Sequence, residues 1–171
     1  MQKKQHRNMA SGAARYSIFV DTSAWIAFFS ARDQNHSAAE RLFREATARN
    51  ASLVTTNLVL AEIHRLILHR AGVEAAGHAL NTIESSARVS IVFSTGAHHA
   101  AAKAWLVSLS QHKLTYTDAI SFAVMKDARC DGLFSFDSDF LPPASAPGVL
   151  PEESPVLLNP PSGPQEMAPE S

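Results

Sequence analysis

A chain of 171 residues, 46% hydrophobic and 18% charged, has room for one domain that buries its own core and for tails outside it. Fifteen basic against 16 acidic side chains give a formal charge of -1, which excludes a broad basic surface and confines any nucleic-acid contact to a local site. The lone Cys130 excludes an intrachain disulfide and every cysteine-rich zinc site, and it points to a reducing cytoplasm.

Residues 1–15 carry Lys3, Lys4, Arg7 and Arg15, no acid and no apolar core of a secretory signal, so a flexible leader is expected there. Met9 offers a second candidate start. The domain is expected over 16–141. Ser17 to Val20 is a short apolar run that reads as a strand, ending at Asp21, and Thr22 or Ser23 can cap a helix through Ser30. His36 to Asn50 places Ala39, Leu42, Phe43 and Ala46 at helical spacing, and Ser52 to Thr55 suits a second strand.

Asn57 can cap a helix to about Arg70, Gly72 ends it, and Val73 to Ala87 completes a helical hairpin. Arg88 to Phe93 alternates as a third strand does. Thr95 to Gln111 is alanine-rich and helical. Thr115, three residues before Asp118, matches a capping box for a helix to Arg129, and Leu133 to Phe136 is a further strand ending at Asp137.

All nine prolines lie from Pro142 onward, and 142–171 holds four glutamates and no Lys or Arg. Such a segment buries too little apolar surface to offset its ordering entropy and is expected to be mostly disordered, with 156–158 suited to a short closing strand. The longest apolar runs are each broken by an acid, so no segment spans a membrane.

Strands alternating with helices imply an α/β domain with a short, mainly parallel sheet flanked by helices. Ligands of such sheets bind beyond the carboxyl ends of the strands, where Asp21 and Asp137 fall. Glu62 interrupts the apolar run Leu58 to Ile63, and on a helical projection it shares a strip with Arg65 and His69. Asp118 opens a helix whose N-terminus favours an ionised carboxylate or a bound cation. Each acid alone has an ordinary explanation: a cap, a turn, or an ion pair of Glu62 with Arg65. Together they can converge on one negatively charged pocket that is stable only with a hard cation bound or with raised pKa values. Mg²⁺, with Mn²⁺ as a substitute, suits such an oxygen-only site, and phosphodiester hydrolysis is its natural chemistry. No His-Glu-x-x-His motif accompanies the eight histidines.

These segments resemble the PIN domain, and within it the VapC-type toxin ribonucleases of toxin-antitoxin pairs. The resemblance covers Ile18 to Phe140 and rests on four motifs in the family's order: Phe19-Val20-Asp21-Thr22-Ser23-Ala24-Trp25, Asn57-Leu58-Val59-Leu60-Ala61-Glu62, Leu114-Thr115-Tyr116-Thr117-Asp118-Ala119, and Phe134-Ser135-Phe136-Asp137-Ser138-Asp139-Phe140. Asp33-Gln34-Asn35-His36 is similar to the family's lead into its second helix. The resemblance implies a three-layer PIN-like fold and Mg²⁺-dependent endoribonuclease activity, with Asp21, Glu62, Asp118 and Asp137 as catalytic and metal-site residues. It also implies homodimerisation and inhibition by a small antitoxin. Ser135 stands where the family often has Thr, and Asp139 competes with Asp137 as the fourth acid. Thr22, Arg65, Thr117, Ser135 and Asp139 are candidates to orient water, metal or substrate. A catalytically silent PIN-like module that binds RNA or protein is the alternative, and a housekeeping nuclease the alternative to a toxin. A phosphatase using Asp21 is disfavoured, because position 23 is Ser and no Gly-rich phosphate loop is present.

Overall fold

In the computed structural model, which describes residues 16–110, 113–137, 140 and 156–157, strand β1 (Ser17–Val20) lies at the middle of a parallel sheet. It pairs on one side with β2 (Ser52–Thr56) and on the other with β4 (Gly132–Phe134); β3 (Val89–Val92) extends the sheet beyond β2, and β5 (Val156–Leu157) pairs with β4. The resulting order is β3-β2-β1-β4-β5. Ile18, Phe19 and Val20 are all buried, as a central parallel strand covered on both faces requires. Truncating Phe19 to Ala would cost about 3–5 kcal/mol through lost burial and the cavity left behind.

Among the described residues six helices accompany the sheet: α1 (Thr22–Phe29), α2 (His36–Ala48), α3 (Asn57–Ala71), α4 (Val73–Glu84), α5 (Gly96–Ser108) and α6 (Tyr116–Asp127). α6 carries an uninterrupted buried stretch from Ala119 to Met125. Trp25, Phe28 and Phe29 of α1 pack with Phe43 of α2, with Trp25 and Phe43 ring centres 4.9 Å apart. Trp25 is buried in the core, and Phe28, Phe29 and Phe43 are partly buried against it. Cys130 is likewise buried, and burial pushes its thiol up to about 11, so it acts as a small hydrophobe. None of the described helices is long and apolar enough to cross a membrane.

The element order follows the pattern of the sequence, but three boundaries move for identifiable reasons. Asp21 itself caps α1, its Oδ2 accepting from the Ser23 amide at 3.1 Å, so neither Thr22 nor Ser23 is the cap. Thr56 rather than Asn57 caps α3, accepting from the Val59 amide. The Asn57 side chain instead accepts from the Ser94 amide at 2.9 Å and ties the end of β3 to the start of α3. β4 stops at Phe134, two residues earlier than the apolar run suggests, because the amides of Phe136 and Asp137 turn to the hydroxyls of Ser23 and Ser135 instead of a neighbouring strand. Gly72, at φ 88°, adopts the left-handed backbone that ends α3 and starts α4.

Candidate active site

The parallel strands β1 and β4 deliver their carboxyl ends side by side, Val20 opposite Phe134, and the Asp21 amide donates to the Phe134 carbonyl at 3.0 Å. Just beyond this edge opens a pocket of about 310 Å³ whose lining includes Asp21, Glu62, Asp118 and Asp137. All four acids singled out in the sequence therefore face one space. They do so from different depths: Asp21 is 4% exposed, Glu62 and Asp118 are half-buried, and Asp137 lies exposed at the rim.

Asp21 is the most constrained. Its Oδ2 accepts from the Ser23 amide at 3.1 Å, the Ser23 hydroxyl at 2.8 Å and the Ser135 hydroxyl at 3.1 Å. Each hydroxyl in turn accepts a backbone amide from the loop after β4, Ser23 from Phe136 and Ser135 from Asp137. The two serines thus clamp the start of α1 to that loop through a single carboxylate oxygen. Burial raises the Asp21 carboxyl to about 6, against the lowering pull of the Ser23 hydroxyl and of the Ser23 and Thr22 amides, and the nearby Asp118 charge adds to the rise.

Thr22, 8% exposed, donates its hydroxyl to Glu62 Oε2 at 2.7 Å and so links α1 to α3 across the pocket wall. Thr115 and Asp118 form the expected capping box, the Thr115 amide donating to Asp118 Oδ2 at 2.8 Å and the Asp118 amide to Thr115 Oγ1 at 3.1 Å. Asp118 is also raised above the ordinary carboxylate range, first by burial and then by the charges of Glu62 and Asp137. That mutual repulsion is the electrostatic sign that the acids share a space.

The N-cap residues of α1, α2 and α6, namely Asp21, Asn35 and Thr115, all line the pocket. Three positive helix ends therefore face it and offset part of the acid repulsion. Asp33 joins the lining, its Oδ1 accepting from the Asn35 amide at 2.9 Å.

The remaining candidates separate. Ser135 is buried and bonded to Asp21, and Thr22 is bonded to Glu62, so both sit against the acids. Thr117 is half-buried outside the lining, and Thr115, two residues earlier, holds Asp118 instead. Arg65 is exposed, is absent from the lining and forms none of the ion pairs found among the described residues, so its expected pairing with Glu62 is replaced by Thr22. The strip that Glu62 belongs to runs instead through Leu66 to Arg70, both of which line the pocket. Asp139 lies outside the described residues, whereas Asp137 faces the acids. Arg70 was the main omission, signalled only by the spacing i, i+4, i+8 from Glu62.

A family model described as PIN domain matches residues 18–144. The chain belongs to the PIN domain family. Within it, the chain is 35% identical over 127 residues to the "23S rRNA-specific endonuclease VapC20" of Mycobacterium tuberculosis, which covers 72% of this chain and 91% of that protein. The crystal structure of Mycobacterium tuberculosis VapC20, described as a sarcin-ricin loop cleaving toxin, matches this PIN domain with a TM-score of 0.66 over 72% of this chain and 92% of that one. The same fold is found in a toxin-antitoxin complex from Klebsiella pneumoniae, at TM-score 0.53 and 21% identity over 78% of this chain and 96% of that one. It recurs in VapBC2 of Rickettsia felis bound to a DNA fragment from their promoter, at TM-score 0.56 and 13% identity over 71% and 87%. At such identities the last two bear on the fold alone.

Proposed function

We propose that this PIN domain is a Mg²⁺-dependent endoribonuclease acting in the cytoplasm as the toxin of a toxin-antitoxin pair. The observation that carries the reading is the convergence of Asp21, Glu62, Asp118 and Asp137 on one pocket. The 35% identity to a 23S rRNA-specific endonuclease supports it and makes structured ribosomal RNA the first substrate to try.

The donor chemistry fits a hard divalent cation. The acids offer only oxygen, and two of them are held above the usual carboxylate range, a cost that a bound cation relieves. Among the described residues no three His, Cys, Asp or Glu side chains stand close enough to encircle a bare ion. Mg²⁺ keeps several of its waters and takes only one or two carboxylates directly, and Mn²⁺ is its expected substitute. When bound, the ion would lower the pKa of an attacking water and stabilise charge on the phosphodiester oxygens. The four acids would hold it. Ser23 and Ser135 fix the rotamer of Asp21, Thr22 fixes Glu62, and Thr115 fixes Asp118, so three of the four acids are oriented by a neighbour before metal arrives.

The test is incubation of the purified chain with structured RNA with and without Mg²⁺ or Mn²⁺, beside an Asp118→Asn variant. Metal-dependent cleavage lost in the variant is expected. Absence of metal-dependent cleavage, or equal cleavage by the variant, leaves a silent RNA- or protein-binding module in its place. Homodimerisation and capture of a small antitoxin belong to the same reading. Co-purification with the product of an adjacent small gene, and restoration of growth by that product, would separate a toxin from a housekeeping nuclease.

A further inference from the structure

Arg70 is the one basic side chain among the described residues that line the acidic pocket. It stands exposed in the last turn of α3 and enters none of the ion pairs formed among the described residues. A cation in a last turn complements the helix dipole, but the neighbouring His69 occupies the same turn and is absent from the lining. Dipole compensation therefore accounts for a cation in this turn and leaves its place on the pocket wall to be explained.

Glu62, Leu66 and Arg70 follow one another at i, i+4 and i+8 and all line the pocket, so one strip of α3 carries an acid at one end and a base at the other. Their backbones are separated by roughly 12 Å along the helix axis. An RNA strand entering a pocket ringed by carboxylates meets repulsion at every phosphate. A metal at the acids would neutralise the reacting phosphate, and the flanking phosphates need a cation of their own. A guanidinium, always charged and able to give two parallel N–H donors, suits a phosphate outside the acid cluster better than one within it.

We propose that Arg70 is a substrate-binding residue that grips a backbone phosphate flanking the bond to be cut and sets the register of the RNA along α3. The assignment rests on the ribonuclease reading above. Phosphate contacts of this kind position the strand without reading its sequence.

The experiment compares wild type, Arg70→Gln, Arg70→Lys and the off-site charge control Arg44→Gln, which removes an exposed arginine of α2 that does not line the pocket. Cleavage of a labelled RNA stem-loop at saturating Mg²⁺ gives kcat and KM, and binding to the same RNA is read across a salt series in an Asp118→Asn background. Arg70→Gln is expected to raise KM roughly tenfold with kcat little changed, and to lower the slope of log affinity against log salt by about 1. Arg70→Lys should keep the salt slope and recover KM in part, and Arg44→Gln should match wild type. Thermal melting identifies any loss of fold. If wild type cleaves but Arg70→Gln keeps its KM and salt slope, or if Arg44→Gln changes both equally, Arg70 has no special contact and the proposal falls while the nuclease stands. If wild type shows no metal-dependent cleavage, the nuclease reading and the Arg70 assignment fall together.

Discussion

Thr22 Oγ1 and Glu62 Oε2 stand 2.7 Å apart, a hydrogen bond that fastens the first turn of α1 to the second turn of α3 and gives Glu62 one fixed orientation. The interaction replaces the exposed ion pair with Arg65 that helical spacing suggests. It also assigns a task to a threonine that directly follows the first acid.

Thr22→Val keeps the shape of the side chain and removes the donor, so the prediction is a site that folds but holds Glu62 loosely. Loss of a hydrogen bond to a charged group costs about 1–3 kcal/mol, discounted here because Glu62 is only half-buried. Metal-titrated RNA cleavage should require several-fold more Mg²⁺ for half-maximal activity and run at a roughly tenfold lower rate, with Thr22→Ser close to wild type. Unchanged metal titration in Thr22→Val would detach Thr22 from the site.

Asp21 makes the metal-free fold sensitive to pH. Its folded carboxyl titrates at about 6 against an ordinary 3.8, so between those values the native chain binds the proton that the unfolded chain has released. Stability therefore falls as pH rises from about 4 to about 6 and stays lower above, by roughly 3 kcal/mol for this one group. Asp21→Asn keeps a capping oxygen and lacks the charge. In melts with a chelator present, the advantage of Asp21→Asn over wild type should grow across that window and level off above it. Parallel curves would contradict the assigned shift.

Divalent cation should act most where the acids are ionised. At neutral pH, Mg²⁺ is expected to raise the melting temperature of wild type and to do less for Asp21→Asn or Asp118→Asn, because binding to the native state alone stabilises by mass action. Equal stabilisation of all three by Mg²⁺ would place the ion elsewhere.

Ser135→Ala removes a donor to Asp21 and the acceptor of the Asp137 amide together. A loss of about 1–3 kcal/mol and a further rise of the Asp21 carboxyl are expected, the latter visible as a shift of the acid limb of the pH–activity profile to higher pH. Ser135→Thr keeps the hydroxyl and should retain most activity if its added methyl is accommodated. A profile that stays in place for Ser135→Ala would show that the hydroxyl does not govern Asp21.

The sheet and its helices were legible because short apolar runs alternate with helical periodicity from Ser17 to Phe134, and Gly72 and Thr115 mark ends with a mechanism of their own. Asp118 was legible in detail, since a capping box is local. What eluded the sequence depends on contacts between distant segments. Ser23 bridges to Phe136 and Ser135 to Asp21, so the end of β4 is decided in part by a hydroxyl 113 positions away. Arg65 and Arg70 differ only in which strip of α3 they follow, and a projection without neighbours could not show which strip the pocket uses. Asn57 looked like a cap because Asn usually is one, yet Thr56 was free to serve and Asn57 was taken by Ser94.

Because β1 takes Asp21 to the middle of the sheet and β4 must dock beside it before Ser135 and Asp137 reach the same pocket, the first and last parts of the site are separated by nearly the whole domain. A ribosome making this chain therefore carries, for most of each round of synthesis, an incomplete set of the four acids and Asp21 without one of its two serine anchors. On the ribonuclease reading the nascent polypeptide has no complete site until the segment around Asp137 has emerged and found β1.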